Sequence, residues 1–344
     1  MHMSSYKFWR PLVFAILLLT ATSAFPQVKV VDANDKQPVI SASVYDAADG
    51  TFLGITDYDG FIPEVAIERG NIHIQHINYN PVNISPASYK DSEVTLVPHV
   101  HQVPEVKVDR PKDSEMRMKV YIRQYRVLKG KPASFSESIA YLYFKPNGDG
   151  KPDSRKILSE NKYENSHAMM GESKMLKALA SCSDPTMFIS FNGYKLYDGL
   201  RGSRQVRNSW KRAGGILYMN EDDANKRCEI VQDSIFSDKP FKVPLFGFAF
   251  GDVYSSETYS TANGAPKIYS LLNATDRHRV YQTKTMGYVD EYVEVYVLGT
   301  DYVTKEEKKA DKKLKTVEFE RPQGIIATND FMLESMKTMT KVDN

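Results

Sequence analysis

Four histidines lie in or beside the stretch 28–108, His73, His76, His99 and His101, and neutral imidazole is a common zinc ligand. By the period-two alternation of a strand, His99 and His101 share a face while His73 and His76 point apart. No carboxylate stands at a ligand spacing, and there is no His-x-x-Glu followed by a distant His. The four read as polar strand residues, and no metal or cofactor is expected. Asn147-Gly148-Asp149-Gly150-Lys151-Pro152-Asp153 puts oxygen donors at alternate positions, as a calcium loop does. Lys151 occupies a place where an oxygen is needed, and Leu158 the place of the closing bidentate Glu. The stretch therefore reads as a hairpin turn.

Arg201, Arg204, Arg207, Lys211 and Arg212 form the densest basic run, with Trp210 inside it. Guanidinium matches phosphate geometry, so the run suits the phosphates of an anionic lipid such as lipid A; a solvated loop is the competing reading. Phe241 to Phe250 is the most apolar internal segment, and Phe246, Phe248 and Phe250 share one strand face. It reads either as a docking loop for lipid or a partner, or as core. The candidate binding residues are thus Phe246, Phe248, Phe250, Arg201, Arg204, Arg207 and Trp210. The sequence has no Gly-x-Ser-x-Gly elbow, phosphate-binding loop, dinucleotide fingerprint or Cys-x-x-Cys pair. A non-catalytic protein is expected, with no catalytic residue to name.

The first residues supply an address. Lys7 and Arg10 precede the apolar run Leu12 to Leu19, and the small residues Ala21, Thr22, Ser23 and Ala24 follow. A basic start, a short apolar run and a small-residue site make a secretory signal peptide over residues 1–24. The run is shorter than the about 20 residues of a spanning helix. No Cys lies near the cut, so lipid attachment is not supported. The mature protein is expected to be exported, in the periplasm or associated with the outer membrane. In an oxidising compartment Cys182 and Cys228 either pair or remain two separately buried thiols. The formal charge of +2 falls near zero once Lys7 and Arg10 are removed, which argues against a nucleic-acid partner. The length, roughly 320 mature residues, suits two domains.

The elements around these residues read mainly as strands. Val28 to Asp32, Val39 to Tyr45, Asn71 to Ile77 and Val94 to Val97 are short strands, and Asp57 to Gly60 is a tight hairpin turn between Thr56 and Phe61. That spacing argues for a small antiparallel β-sandwich. The order resembles the carboxypeptidase-regulatory-like domain (transthyretin-like, CNA-B-like) at the front of many Bacteroidota envelope proteins. Pro38, Ala42, Val44, Gly54, Thr56, Asp57, Gly60, Phe61 and Tyr79 fill the places of that family's pattern, and Asn78 stands for its usual Gly. The resemblance covers residues 28–108 and implies a non-catalytic module. Pro98, Pro104 and Pro111 among charges then mark a linker.

The second domain is read as opening with a helix over 114–129. Asp113 or Ser114 would cap it, Met118, Tyr121, Ile122, Tyr125 and Leu128 recur at helical spacing, and Gly130 and Pro132 end it. Residues 109–133 are thus linker and helix, and 134–344 a β-rich domain of unknown function. Its strand candidates are Phe135 to Phe144, Arg155 to Tyr163, Met187 to Leu196, Ile216 to Met219, Arg227 to Ile235 and Arg279 to Leu298. In the last, Val289, Glu291, Val293, Val295 and Val297 occupy one face and Tyr288, Asp290, Tyr292, Glu294 and Tyr296 the other. Lys305 to Lys315 reads as a charged helix or turn and Thr316 to Glu320 as a strand. The fold class is mainly β: a small N-terminal antiparallel β-sandwich followed by a larger α+β domain with a curved antiparallel sheet. The stretch after the linker is similar to segments of Bacteroidota proteins that end in an outer-membrane barrel, but the strands lack the lipid-facing bands of one.

The functional expectation is an exported, non-catalytic protein of the cell envelope, with a binding or accessory role toward an envelope protein, lipid or glycan. One alternative is a lipid carrier enclosing an acyl chain against Val293, Val295 and Phe246. Another is a hydrolase, betrayed by a tight polar cluster of titratable groups in the second domain.

Overall fold

The computed structural model describes residues 27–57, 59–89, 92–99, 113–145, 150–181, 189, 191–201, 207–208, 216–233, 248–282 and 287–342. The chain divides into two compact units, Met1–Pro98 and His99–Asn344.

The first unit holds β1 (Lys29–Asp32), β2 (Ser43–Asp46), β3 (Phe52–Ile55), α1 (Glu64–Ile67), β4 (Ile72–His76), β5 (Tyr79–Ile84) and β6 (Glu93–Leu96). Strands β3-β2-β4-β5 make an antiparallel sheet, and β1 and β6 form a separate two-stranded pair. That pair is parallel, a departure from an all-antiparallel arrangement. Alternation along β2 and β4 turns Val44, Ile72 and Ile74 into a core with Val28, Val30, Ala66, Val94 and Leu96.

The turn motif is explained by its contacts. The Asp57 carboxylate accepts from the amides of Asp59 at 3.0 Å and Phe61 at 2.8 Å. Gly60 sits at φ +81°, and a Cβ there would lie 2.5 Å from the Val30 carbonyl oxygen, so only glycine fits. The buried Thr56 hydroxyl donates to the Val39 carbonyl at 2.6 Å and accepts from the Ala42 amide at 2.8 Å, tying two segments across the layer.

The second unit is one antiparallel sheet of ten strands in the order β10-β11-β12-β13-β14-β15-β7-β8-β9-β16. Its strands are β7 (Glu115–Leu128), β8 (Lys131–Phe144), β9 (Ser154–Glu164), β10 (Arg207–Asn208), β11 (Ile216–Asp222), β12 (Arg227–Asp233), β13 (Phe248–Ser260), β14 (Leu271–Gln282), β15 (Tyr288–Val303) and β16 (Thr340–Lys341). The chain lays down β7, β8 and β9 as one meander, starts again at the far edge with β10, and returns so that β15 docks on β7. Register shifts in β13, β15 and the β7–β8–β9 meander are the kind of irregularity that bends a sheet. The helices are α2 (Lys174–Ala180), α3 (Tyr197–Leu200), α4 (Lys305–Asp311) and α5 (Asp330–Met336). Among the described residues no helix is long and apolar enough to cross a membrane.

The helix expected over 114–129 is a strand. β7 lies between β15 and β8 within the sheet, and both of its faces are covered from Val120 to Arg126. Met116, Met118, Val120 and Ile122 enter one core cluster, whereas Tyr121, Arg123 and Tyr125 are buried on the other face. From Val120 to Arg126 no side is exposed, so apolar residues occur at every spacing there, and the helical period is accidental. Gly130 does not end a helix. With Lys129 at φ 50° and Gly130 at φ 78°, the pair forms the two-residue turn of the β7–β8 hairpin, which demands two left-handed residues.

Three further expectations are corrected. The described part of 187–196 carries no strand; Gly193–Leu196 is a 3-10 turn leading into α3. Arg279 to Leu298 spans two strands, the end of β14 and most of β15. Thr316 to Glu320 contributes only a single bridge, Val317 to Ser159. Lys305 to Lys315 does begin as a helix, α4, whose N-terminus is closed by a reciprocal pair: Thr304 accepts from the Glu307 amide and Glu307 from that of Thr304.

Candidate functional site

Three neighbouring strands carry ionisable side chains into the interior of the second unit. The register sets His278 of β14 beside Glu291 of β15, and Glu291 beside Arg126 of β7. The next row sets Asp276 beside Val293, and Val293 beside Gln124. Residues opposite one another, or two apart along a strand, share a face. All five polar side chains therefore point the way of Val293, Val295 and Val297. They lie between the main apolar cluster and a smaller one formed by Leu128, Val289, Met169, and Leu176 and Ala180 of α2.

The contacts are short and the burial is nearly complete, with Arg126 at 1 %, Gln124 and His278 at 2 %, and Asp276 and Glu291 at 3 % exposure. His278 Nδ1 is 2.5 Å from Asp276 Oδ1, and Nε2 is 3.6 Å from Glu291 Oε2. Glu291 Oε1 accepts from Gln124 Nε2 at 2.6 Å and from Arg126 Nη2 at 3.1 Å. Arg126 also donates to the carbonyl of Ser181, the residue that ends α2, and Ser134 Oγ donates to the Ala180 carbonyl at 2.6 Å. Burial opposes the charged imidazole, but the Asp276 and Glu291 carboxylates outweigh it and hold the His278 pKa above its ordinary 6.5. Charges this deep persist only when paired and hydrogen-bonded, as these are.

Of the binding residues expected from sequence, the described contacts bring one to this cluster. Phe250 of β13 stands half-buried with its ring 6.0 Å from that of His278. Phe248 begins β13 opposite Gln282, and Phe246 lies outside the described residues. Arg201 is exposed at the end of α3, and Arg207 opens β10. Arg204 and Trp210 lie outside the described residues, as do Lys211 and Arg212.

The five cluster residues carry no motif spacing and were missed as a site. One signal was present: Glu291 is the single charged residue on a face otherwise made of Val289, Val293, Val295 and Val297. An acid on a core-facing valine row requires a buried cation.

The opposite face of the sheet carries a second network. Tyr121 Oη donates to Glu137 at 2.5 Å, and Arg321 Nη2 pairs with Glu137 at 2.6 Å. Arg123 pairs with Glu294 at 3.3 Å and donates to the Ile326 carbonyl at 2.5 Å. With Phe331 of α5 edge-on to Tyr125 at 6.2 Å, these contacts fasten the C-terminal segment across that face. Burial raises the Tyr125 phenol to about 12. At one end of the sheet, Arg117 clamps Asp301 at 2.5 Å and Asp311 at 2.7 Å, while Lys308 of α4 reaches Glu115 at 2.5 Å and Asp153 at 3.1 Å.

The remaining candidates are placed apart. His73 Nδ1 pairs with Asn83 Oδ1 at 2.7 Å, His76 lies edge-on to Tyr79 at 5.2 Å, and His99 Nε2 meets the Gly324 carbonyl at 2.9 Å. His101 lies outside the described residues, among which no group of three or more His, Cys, Asp or Glu is arranged to hold a metal ion. Residues 146–149 also lie outside, while Asp153 is committed to Lys308. Cys228 is a free buried thiol on β12, pushed up to about 12 by burial and then by Glu221 and Glu229; Cys182 lies outside the described residues. No protein-family description matches this chain, and a search of curated proteins returns no match.

Proposed function

We propose that this chain is an exported, non-catalytic protein of the Gram-negative envelope, acting by binding through a small carboxypeptidase-regulatory-like module and a larger sheet unit. Its partner is an envelope protein, a lipid or a glycan. The observation that carries the non-catalytic part is the setting of His278. Nδ1 is taken by Asp276 and Nε2 faces Glu291, so the imidazole is clamped between two carboxylates rather than turned toward a nucleophile. Export is supported by the basic-apolar-small pattern of residues 1–24.

A second reading is a hydrolase, favoured by the same cluster, because Asp276 and His278 form an acid–base dyad of ordinary geometry. The lipid-carrier reading draws no such support. Val293 and Val295 are buried in the main core cluster, and Phe246 lies outside the described residues. Crosslinking in intact cells, followed by fractionation, tests the main reading. Recovery of the processed chain crosslinked to an envelope component supports it. Hydrolysis of a generic ester or amide substrate by the purified chain, abolished by Asp276→Asn, supports the second.

A further inference from the structure

We propose that His278 is a buried pH latch: as an imidazolium it locks β14, β15 and β7 together and seats α2 on the sheet, and its deprotonation loosens that seat. The argument is one of charge balance. Among the described residues, the ionisable groups facing His278 are Asp276 on its own strand, Glu291 on β15 and Arg126 on β7. Gln124 of β7 and the Phe250 ring of β13 stand beside them and carry no charge. Arg277, Arg279, Asp290 and Glu294 alternate to the other face. Glu257 of β13 shares the cluster's face but is engaged by the Gly193 amide at 2.8 Å and the Tyr259 hydroxyl. Lys174 and Lys177 of α2 are exposed.

Two carboxylates against Arg126 alone leave one negative charge in an apolar interior. A charged His278 makes the set neutral. On losing its proton, His278 leaves the excess charge on Asp276 and Glu291. Among the described residues Arg126 is the cation that remains beside them, and it also holds the Ser181 carbonyl at the end of α2. The consequence therefore reaches α2, through Arg126 and through the Ser134 contact to Ala180 on the adjacent strand.

The direction in pH follows from linkage. Below the ordinary imidazole pKa, about 6.5, His278 is charged whether folded or unfolded, and the latch contributes in full. The contribution fades as pH rises through the elevated folded-state pKa. The test uses the mature two-unit chain with labelled histidine. NMR follows the His278 ring from about pH 5.5 to about pH 9, and hydrogen exchange, corrected for intrinsic rate, follows the α2 amides.

The expected result is a ring that titrates above 6.5 while α2 protection falls in the same window. The melting temperature should drop by about 3–5 °C for each unit by which the ring pKa is raised. His278→Gln flattens that dependence, and Glu291→Gln moves it to lower pH. A ring titrating at or below 6.5, or α2 protection unchanged across its titration, overturns the latch, and both are read on the unmutated chain.

Discussion

Arg126 is the residue on which the interior of the second unit most depends. It is the cation beside Glu291, and its other nitrogen holds the end of α2. Arg126→Ala would leave a buried carboxylate without its partner, a change that costs about 3–5 kcal/mol. Urea unfolding at neutral pH should show a loss of that size, and a loss under about 1 kcal/mol would mean the charge is compensated elsewhere. Cys228 offers a second prediction. A thiol raised to about 12 and buried on β12 is almost wholly protonated at pH 8, so iodoacetamide should modify it only on unfolding. Rapid alkylation of the native chain would contradict its placement. At this scale little of the site was legible. Asp276 and His278 share β14 and Gln124 and Arg126 share β7, each pair two residues apart, but no sequence spacing brings the two strands and β15 together. Glu291 alone gave a sign, because an acid on a valine face has to be answered from a neighbouring strand.

Elements were legible where one face is wet or a turn needs a special residue, and illegible where neither holds. The Thr56-to-Phe61 turn belongs to the first kind. Gly60→Ala would force a Cβ to 2.5 Å from the Val30 carbonyl in a left-handed backbone, and should destabilise the first unit by about 1–3 kcal/mol. Denaturant unfolding of the full chain checks this, and an unchanged first-unit transition would mean the turn sits otherwise. β7 belongs to the second kind. Its first half alternates, Glu115, Arg117 and Lys119 against Met116, Met118 and Val120, but from Val120 to Arg126 every residue is buried and no polar stripe sets the period there. Its β-branched and aromatic content, Val120, Tyr121, Ile122, Tyr125 and Val127, was the better guide. β15 was read correctly as alternating because Asp290, Tyr292, Glu294 and Tyr296 interrupt the valine row, although its join to β14 was overrun.

At the scale of the whole molecule, the mainly β architecture follows from composition and alternation. The two units have separate cores, one drawn from short strands of four to six residues and the other from strands of up to sixteen. Among the described residues, Arg126, Glu291, Asp276 and His278 pair across strands, and Arg123, Glu294, Glu137 and Arg321 help hold the C-terminal segment in place. In the proposed reading, a role in binding falls to surfaces, and the signal-like first residues are what would direct those surfaces to the envelope. Intact-cell crosslinking with fractionation and mass measurement of the recovered chain tests this most directly. The account predicts a chain lacking residues 1–24, in the envelope fraction, crosslinked to a protein, lipid or glycan of that compartment. An uncleaved chain in the cytosolic fraction would contradict it.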